Sequence, residues 1–228
     1  MATPPSPDML AQSQTQTELR INEIFLSLQG ESAKVGLPTI FIRLTGCPLR
    51  CRYCDTAYAF HDGEKQSIDS IIKNISQYRT RHVCVTGGEP LAQRQCHDLL
   101  TRLCDEGYEV SLETSGAIDL SGVDPRVMKV MDIKTPASTE EDKNRYENLE
   151  SLNDSDQIKF VVCNRNDYDW VKAKIKEYRL VDICEVLLSP EHDSLNPTDL
   201  ADWILEDKLN VRLQVQLHKY LWGNNPGH

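Results

Sequence analysis

The chain has 228 residues, 39% hydrophobic and 26% charged, which suits one globular domain with a sizeable core better than two small ones. Its formal net charge of -10 argues against direct binding to nucleic acid or anionic membrane, which calls for clustered Lys and Arg. No apolar run approaches the ~18 residues of a membrane span. No export signal opens the chain, so a cytoplasmic location is expected and the eight cysteines point to metal binding rather than disulfides.

Residues Met1 to Glu18 are mainly Pro, Ser, Gln and Thr, and read as a flexible tail ahead of a single domain over residues 19–228. From Leu19 onward, short apolar runs predict strands at Ile21–Leu28, Thr39–Leu44, His82–Thr86, Glu109–Glu113, Val127–Asp132, Gln157–Val162, Glu185–Leu188 and Asn210–Gln216. Their Val, Ile and Leu content suits strands covered on both faces. Amphipathic segments predict helices near Ser67–Tyr78, Ala92–Glu106, Glu140–Leu152, Asp167–Glu177 and Thr198–Glu206. Strand–helix alternation implies parallel crossovers. A closed eight-fold barrel takes ~250 residues, so the economical α/β architecture is an incomplete, open (β/α)6 barrel. Its site would lie at the carboxyl ends of the strands.

Past the second strand comes Gly46-Cys47-Pro48-Leu49-Arg50-Cys51-Arg52-Tyr53-Cys54-Asp55-Thr56. The C-x3-C-x2-C spacing lets three thiolates converge on one cubane [4Fe–4S] cluster and leaves the fourth iron open to a ligand. Zinc with a fourth ligand from His61 or Cys84 is the alternative. Structural zinc sites usually pair C-x2-C knuckles, and no second knuckle exists here. Cys84, Cys96, Cys104, Cys163 and Cys184 are scattered singly and read as small buried apolar residues. Val85-Thr86-Gly87-Gly88-Glu89-Pro90 ends the next strand; its two glycines allow a close backbone approach, and Pro90 suits the first turn of a helix.

The cysteine loop and the Gly-Gly-Glu-Pro turn together resemble the radical S-adenosylmethionine superfamily. The resemblance narrows with Ile21-Asn22-Glu23-Ile24-Phe25-Leu26-Ser27-Leu28-Gln29-Gly30-Glu31, Cys54-Asp55-Thr56, Glu113-Thr114-Ser115-Gly116 and Gln216-Leu217-His218-Lys219-Tyr220. From about Ile21 to Trp222 the chain is similar to the 7-carboxy-7-deazaguanine synthase family. That family converts 6-carboxy-5,6,7,8-tetrahydropterin into 7-carboxy-7-deazaguanine, with loss of ammonia, on the way to queuosine. A rival within the superfamily, an activase that installs a glycyl radical on a partner protein, lacks a use for Leu28-Gln29-Gly30-Glu31 and Thr56.

The resemblance implies a [4Fe–4S] cluster on Cys47, Cys51 and Cys54, S-adenosylmethionine, and Mg2+ held by Thr56. It implies pterin contacts from Leu28, Gln29, Gly30, Glu31, Arg43 and Thr86. For the cofactor it points to Tyr53, Cys54, Asp55, Gly88, Ser115 and the segment Asp132-Ile133-Lys134, which departs from the Ser-Pro-Lys expected in some members. Ser189-Pro190-Glu191 is a further candidate. A homodimer and a one-electron reductant such as flavodoxin are the implied partners.

Overall fold

A computed structural model describes residues 17–223 and 227; most of the expected tail and the final residues lie outside them. Nine strands form one sheet in the order β3-β1-β2-β4-β5-β6-β7-β8-β9. β1 (Glu18–Leu28) runs antiparallel to β2 (Pro38–Leu44), in register from Glu23↔Arg43 to Leu28↔Pro38, with a shift between Ile21 and Glu23. β3 (Glu64–Ser67) is antiparallel to the first residues of β1. From β2 onward every neighbour is parallel: β4 (His82–Gly87), β5 (Glu109–Thr114), β6 (Met128–Asp132), β7 (Gln157–Val162), β8 (Glu185–Pro190) and the short β9 (Arg212–Leu213). The edge strands β3 and β9 do not pair, so the barrel is incomplete and open, as expected.

Helix boundaries follow local capping. Ser67 accepts from Ser70 N at the start of α1 (Ile68–Ile75). Asn164 accepts from Asp167 N at the start of α3 (Arg165–Tyr178). Asn196 caps α4 (Pro197–Glu206), which has Pro in its first turn. α2 (Cys96–Asp105) buries Leu99, Leu100 and Leu103 against the sheet.

The helix expected at Glu140–Leu152 is absent; two 3-10 turns, Glu141–Lys143 and Tyr146–Ser151, replace it. The reason is polar. Asn144 trades hydrogen bonds with the backbone of Lys134 at 2.8 Å, and Asn148 donates to the carbonyls of Gly116 and Ile118 at 2.8 Å. These side chains serve loop backbone, which pulls the segment out of helical register. The last strand also shrinks from the expected Asn210–Gln216. Gln214 N still donates to Leu188 O of β8 at 2.9 Å, while the Gln214 side chain brackets the backbone of Ser32, and the chain leaves β8 beyond it. A short helix, α5 (Leu217–Trp222), follows.

Strand alternation sorts the two faces of the sheet. Ile40, Ile42 and Leu44 of β2, Val83 and Val85 of β4, Val110 and Leu112 of β5, and Ile158, Phe160 and Val162 of β7 pack in the helix-covered core. The alternate residues Phe41, Arg43, Thr86, Glu113 and Lys159 face an inner cavity.

Candidate active site

The cavity opens at the carboxyl ends of β2, β4, β5, β6 and β7, and the loop after β2 forms one wall. Gly46 adopts φ 97°, the left-handed region that favours glycine. The loop is pinned at several points: Gly46 N donates to Ala59 O at 2.8 Å, and Arg52 N to Ser138 O at 3.0 Å. Arg50 donates to the carbonyls of Cys47 and Leu49 and stacks 4.4 Å over Phe60. Cys47, Cys51 and Cys54 are free, half-buried and line the same cavity. Burial pushes all three thiols up, Cys51 to about 11, while the Lys134 ammonium draws each one back toward thiolate.

This donor set fits a [4Fe–4S] cluster with three protein ligands. Each thiolate would take a different iron of a cube; among the described residues no three His, Cys, Asp or Glu side chains close on a single point, as one zinc ion demands. Cys84 is buried in the sheet and its thiol is pushed well up by burial, so it supplies no fourth ligand.

The Gly-Gly-Glu-Pro turn packs on this wall. A Cβ on Gly87 would strike the backbone of Leu44, and one on Gly88 the carbonyl of Gly46 and, at 2.8 Å, the Cβ of Cys47. The close approach is thus to the cysteine loop. Glu89 is fully buried and accepts from Leu91 N, Thr114 Oγ1, Ser115 N and Ser115 Oγ, the last at 2.6 Å. It thereby ties β4 to the end of β5.

Opposed charges cover the remaining walls. Arg43 pairs with Glu23 at 2.7 Å, and Tyr58 donates to the same carboxylate at 2.8 Å. Lys159 sits 2.5 Å from Glu31 and 3.8 Å from Asp132, whose other oxygen is 3.1 Å from Lys134. Burial alone would lower Lys159, but the Glu31, Asp132 and Glu113 carboxylates outweigh it and hold the ammonium charged. Burial and the neighbouring Glu31 raise Glu113, whose carboxyl accepts, among the described residues, one hydrogen bond, from Thr86 Oγ1 at 3.1 Å. Thr56 Oγ1 donates to Asp55 at 2.8 Å, and Lys219 lies 3.1 Å from the other oxygen of that carboxylate. Against the burial that would raise it, the charge of Lys219 brings Asp55 down to about 2. His218 fills the space a Cβ on Gly30 would need, and Leu217 N donates to Gly30 O at 3.0 Å.

Most residues singled out in the sequence meet here. Leu28, Gln29, Gly30, Glu31, Arg43, Tyr53, Asp55, Thr56, Thr86, Gly88, Ser115, Asp132 and Lys134 all line the cavity with the three cysteines. Gln29 braces Glu31 N through its side-chain oxygen. Ile133 differs: its side chain lies in the hydrophobic core, and only its backbone runs between the cavity-facing Asp132 and Lys134. Of the late candidates, Glu191 lines the cavity, whereas Ser189 is fully buried and its hydroxyl has no partner among the described residues. Sequence reasoning missed Glu113, Lys159, His218 and Lys219 as site residues. For Lys159 the signal was available: Gln157 and Lys159 alternate with Ile158 and Phe160.

An open parallel barrel carrying a three-cysteine loop defines a class, and residues 41–188 match the family model of the Radical SAM superfamily. Two curated relatives narrow it. A 7-carboxy-7-deazaguanine synthase of Chlorobaculum tepidum is 43% identical over 91% of this chain and 96% of its own. One of Koribacter versatilis is 41% identical over 90% of this chain and 97% of its own. The crystal structure of QueE from Escherichia coli superposes with a TM-score of 0.74 at 26% identity, covering 93% of this chain and 99% of that one. The chain belongs to the 7-carboxy-7-deazaguanine synthase family of radical SAM enzymes.

Proposed function

We infer that the protein converts 6-carboxy-5,6,7,8-tetrahydropterin into 7-carboxy-7-deazaguanine with loss of ammonia, toward queuosine and related 7-deazapurines. One observation carries this reading: the Leu28–Glu31 segment, Arg43 and Thr86 line the same cavity as the three free thiols. Cys47, Cys51 and Cys54 would hold the cluster. Tyr53–Asp55, Gly88, Ser115 and Asp132–Lys134 would hold S-adenosylmethionine. When bound, cluster and cofactor supply one-electron chemistry for removing a hydrogen atom from a substrate carbon.

The chain's own part is to bind, orient and exclude water. Arg43 is oriented by Glu23 and keeps a planar guanidinium facing the cavity, suited to gripping a carboxylate by two bonds. Glu31 and Gln29 offer acceptors and donors to a guanine-like edge. Thr56 donates its proton to Asp55 and keeps its lone pairs, a hard oxygen suited to Mg2+. Such a cation would offset repulsion between the substrate carboxylate and the acids around it. A homodimer, a flavodoxin-like reductant and a cytoplasmic location complete the reading; among the described residues no helix is long and apolar enough to cross a membrane.

The test is anaerobic incubation of reconstituted protein with the carboxytetrahydropterin, dithionite, S-adenosylmethionine and Mg2+, followed by product mass. Recovery of unchanged pterin from protein that does cleave the cofactor would assign another substrate. For the cation, Thr56→Val should assemble its cluster normally yet need more Mg2+ for half-maximal turnover. Coincident Mg2+ curves for the two proteins would remove Thr56 from that role.

A further inference from the structure

Resting on that reading, the next question is what handles protons when ammonia leaves. The acids around the cavity differ in one respect. Glu23 is taken by Arg43 and Tyr58, Glu31 by Lys159, Asp132 by Lys134, and Asp55 by Lys219 and Thr56. Glu89 is saturated by donors from its own turn and from β5, and Glu191 accepts from Asp193 N at 3.2 Å. Glu113, at the carboxyl end of β5, faces the cavity and has, among the described residues, a single neutral hydrogen-bond partner for its carboxyl, the Thr86 hydroxyl.

We propose that Glu113 is a catalytic residue that gives a proton to the departing amine and takes back the one the ring sheds. In this step the carbon–nitrogen bond breaks with its electron pair on nitrogen, and the Glu113 proton completes ammonia. The neighbouring ring C–H bond supplies the electron pair for the new ring double bond. Its proton returns to Glu113, so the carboxyl ends as it began and the substrate loses one NH3. No outside oxidant or reductant enters.

The surroundings shift Glu113 toward its protonated form. Burial and the charge of Glu31, on the β1–β2 loop, raise Glu113; Lys159 of β7, the Thr86 hydroxyl of β4 and Arg43 of β2 oppose them without prevailing. The Cys84 thiol of β4 also faces it and is itself held neutral by burial. A carboxyl shifted toward its protonated form, facing the cavity and held by no ion pair among the described residues, is placed to donate. With a raised value, the active protonated form is lost as pH rises, so turnover should fall on the alkaline side of that titration.

The experiment separates the hydrogen-transfer step from the ammonia step. Substrate deuterated at the carbon that gives up its hydrogen reports the first, through label exchange into the 5′ carbon of S-adenosylmethionine. Enzymatic assay of ammonia reports the second. Glu113→Gln, with iron content and circular dichroism matching the parent, should exchange label within about threefold of wild type. It should release ammonia about 100-fold more slowly, the usual size of a general acid contribution. Glu113→Asp should recover part of the loss and keep an alkaline limb in its pH profile, which Glu113→Gln should lack. Exchange and ammonia falling together in Glu113→Gln would reduce Glu113 to positioning substrate and overturn the proposal, as would unchanged ammonia release. A wild-type protein that neither exchanges nor makes product overturns the substrate reading, and the role of Glu113 with it.

Discussion

Lys159 and Phe160 are neighbours on β7 that serve opposite faces of one sheet. Phe160 is fully buried against Trp170, edge to face at 6.4 Å, in the helix-covered core. Lys159 is almost as deeply placed, yet faces Glu31 and Asp132. The first side is held by area removed from water and is indifferent to which apolar group fills it, within volume. The second is held by pairing, where each charge is tolerable only because its partner is present. Stability and chemistry are thus separated across the thickness of a single strand.

The comparison can be tested at four depths. Cys51→Ala should have the largest effect, abolishing turnover and the brown chromophore while leaving circular dichroism and thermal midpoint nearly unchanged. Full iron and sulfide content in that variant would remove Cys51 from the ligand set. Lys159→Met comes next. It strands Glu31 as an unpaired buried carboxylate at about 3–5 kcal/mol, or roughly 10 °C in midpoint for a chain of this size. Adding Glu31→Gln should return most of the stability but not the activity. Phe160→Ala should cost about 3–5 kcal/mol as well, yet leave cluster content and affinity for S-adenosylhomocysteine unchanged when assayed cold. An affinity loss matching that of Lys159→Met would break the division between faces.

The smallest effect is at the rim. Asp55 is depressed to about 2, so its contact with Lys219 adds stability above the ordinary carboxylate value that is lost as pH falls toward 2. Asp55 is 41% exposed, so solvent screening keeps this below about 1 kcal/mol. Lys219→Met should return Asp55 to its ordinary 3.8 or above, read by carboxylate NMR titration.

What the sequence discloses follows the same division. The cysteine loop and the Gly-Gly-Glu-Pro turn are legible because their ligands and tight backbone approaches are local, within a few residues of each other. β1, β2 and the strands from β4 to β8 are legible from apolar runs. Those runs hid the inner face, because a lone Lys159 or Glu113 barely perturbs a hydrophobic window. The amphipathic stretch at 140–152 misleads for a different reason: Asn144 and Asn148 are recruited by distant loop backbone that no local period encodes. β3, with the sequence Glu-Lys-Gln-Ser, has no apolar residue to announce it.

Ser32 and Gln214 lie 182 positions apart in the chain, yet exchange a reciprocal pair of hydrogen bonds across the side of the barrel. During synthesis on a ribosome, the cysteine loop, the glycine turn and most of the sheet emerge well before Gln214. Until that residue and His218 follow, the barrel's flank stays open to water and Gly30 has nothing seated over it. Closure of this seam is a long-range contact and belongs among the slow events of folding. A nascent chain could therefore take up iron before it has a finished chamber to confine what the iron does.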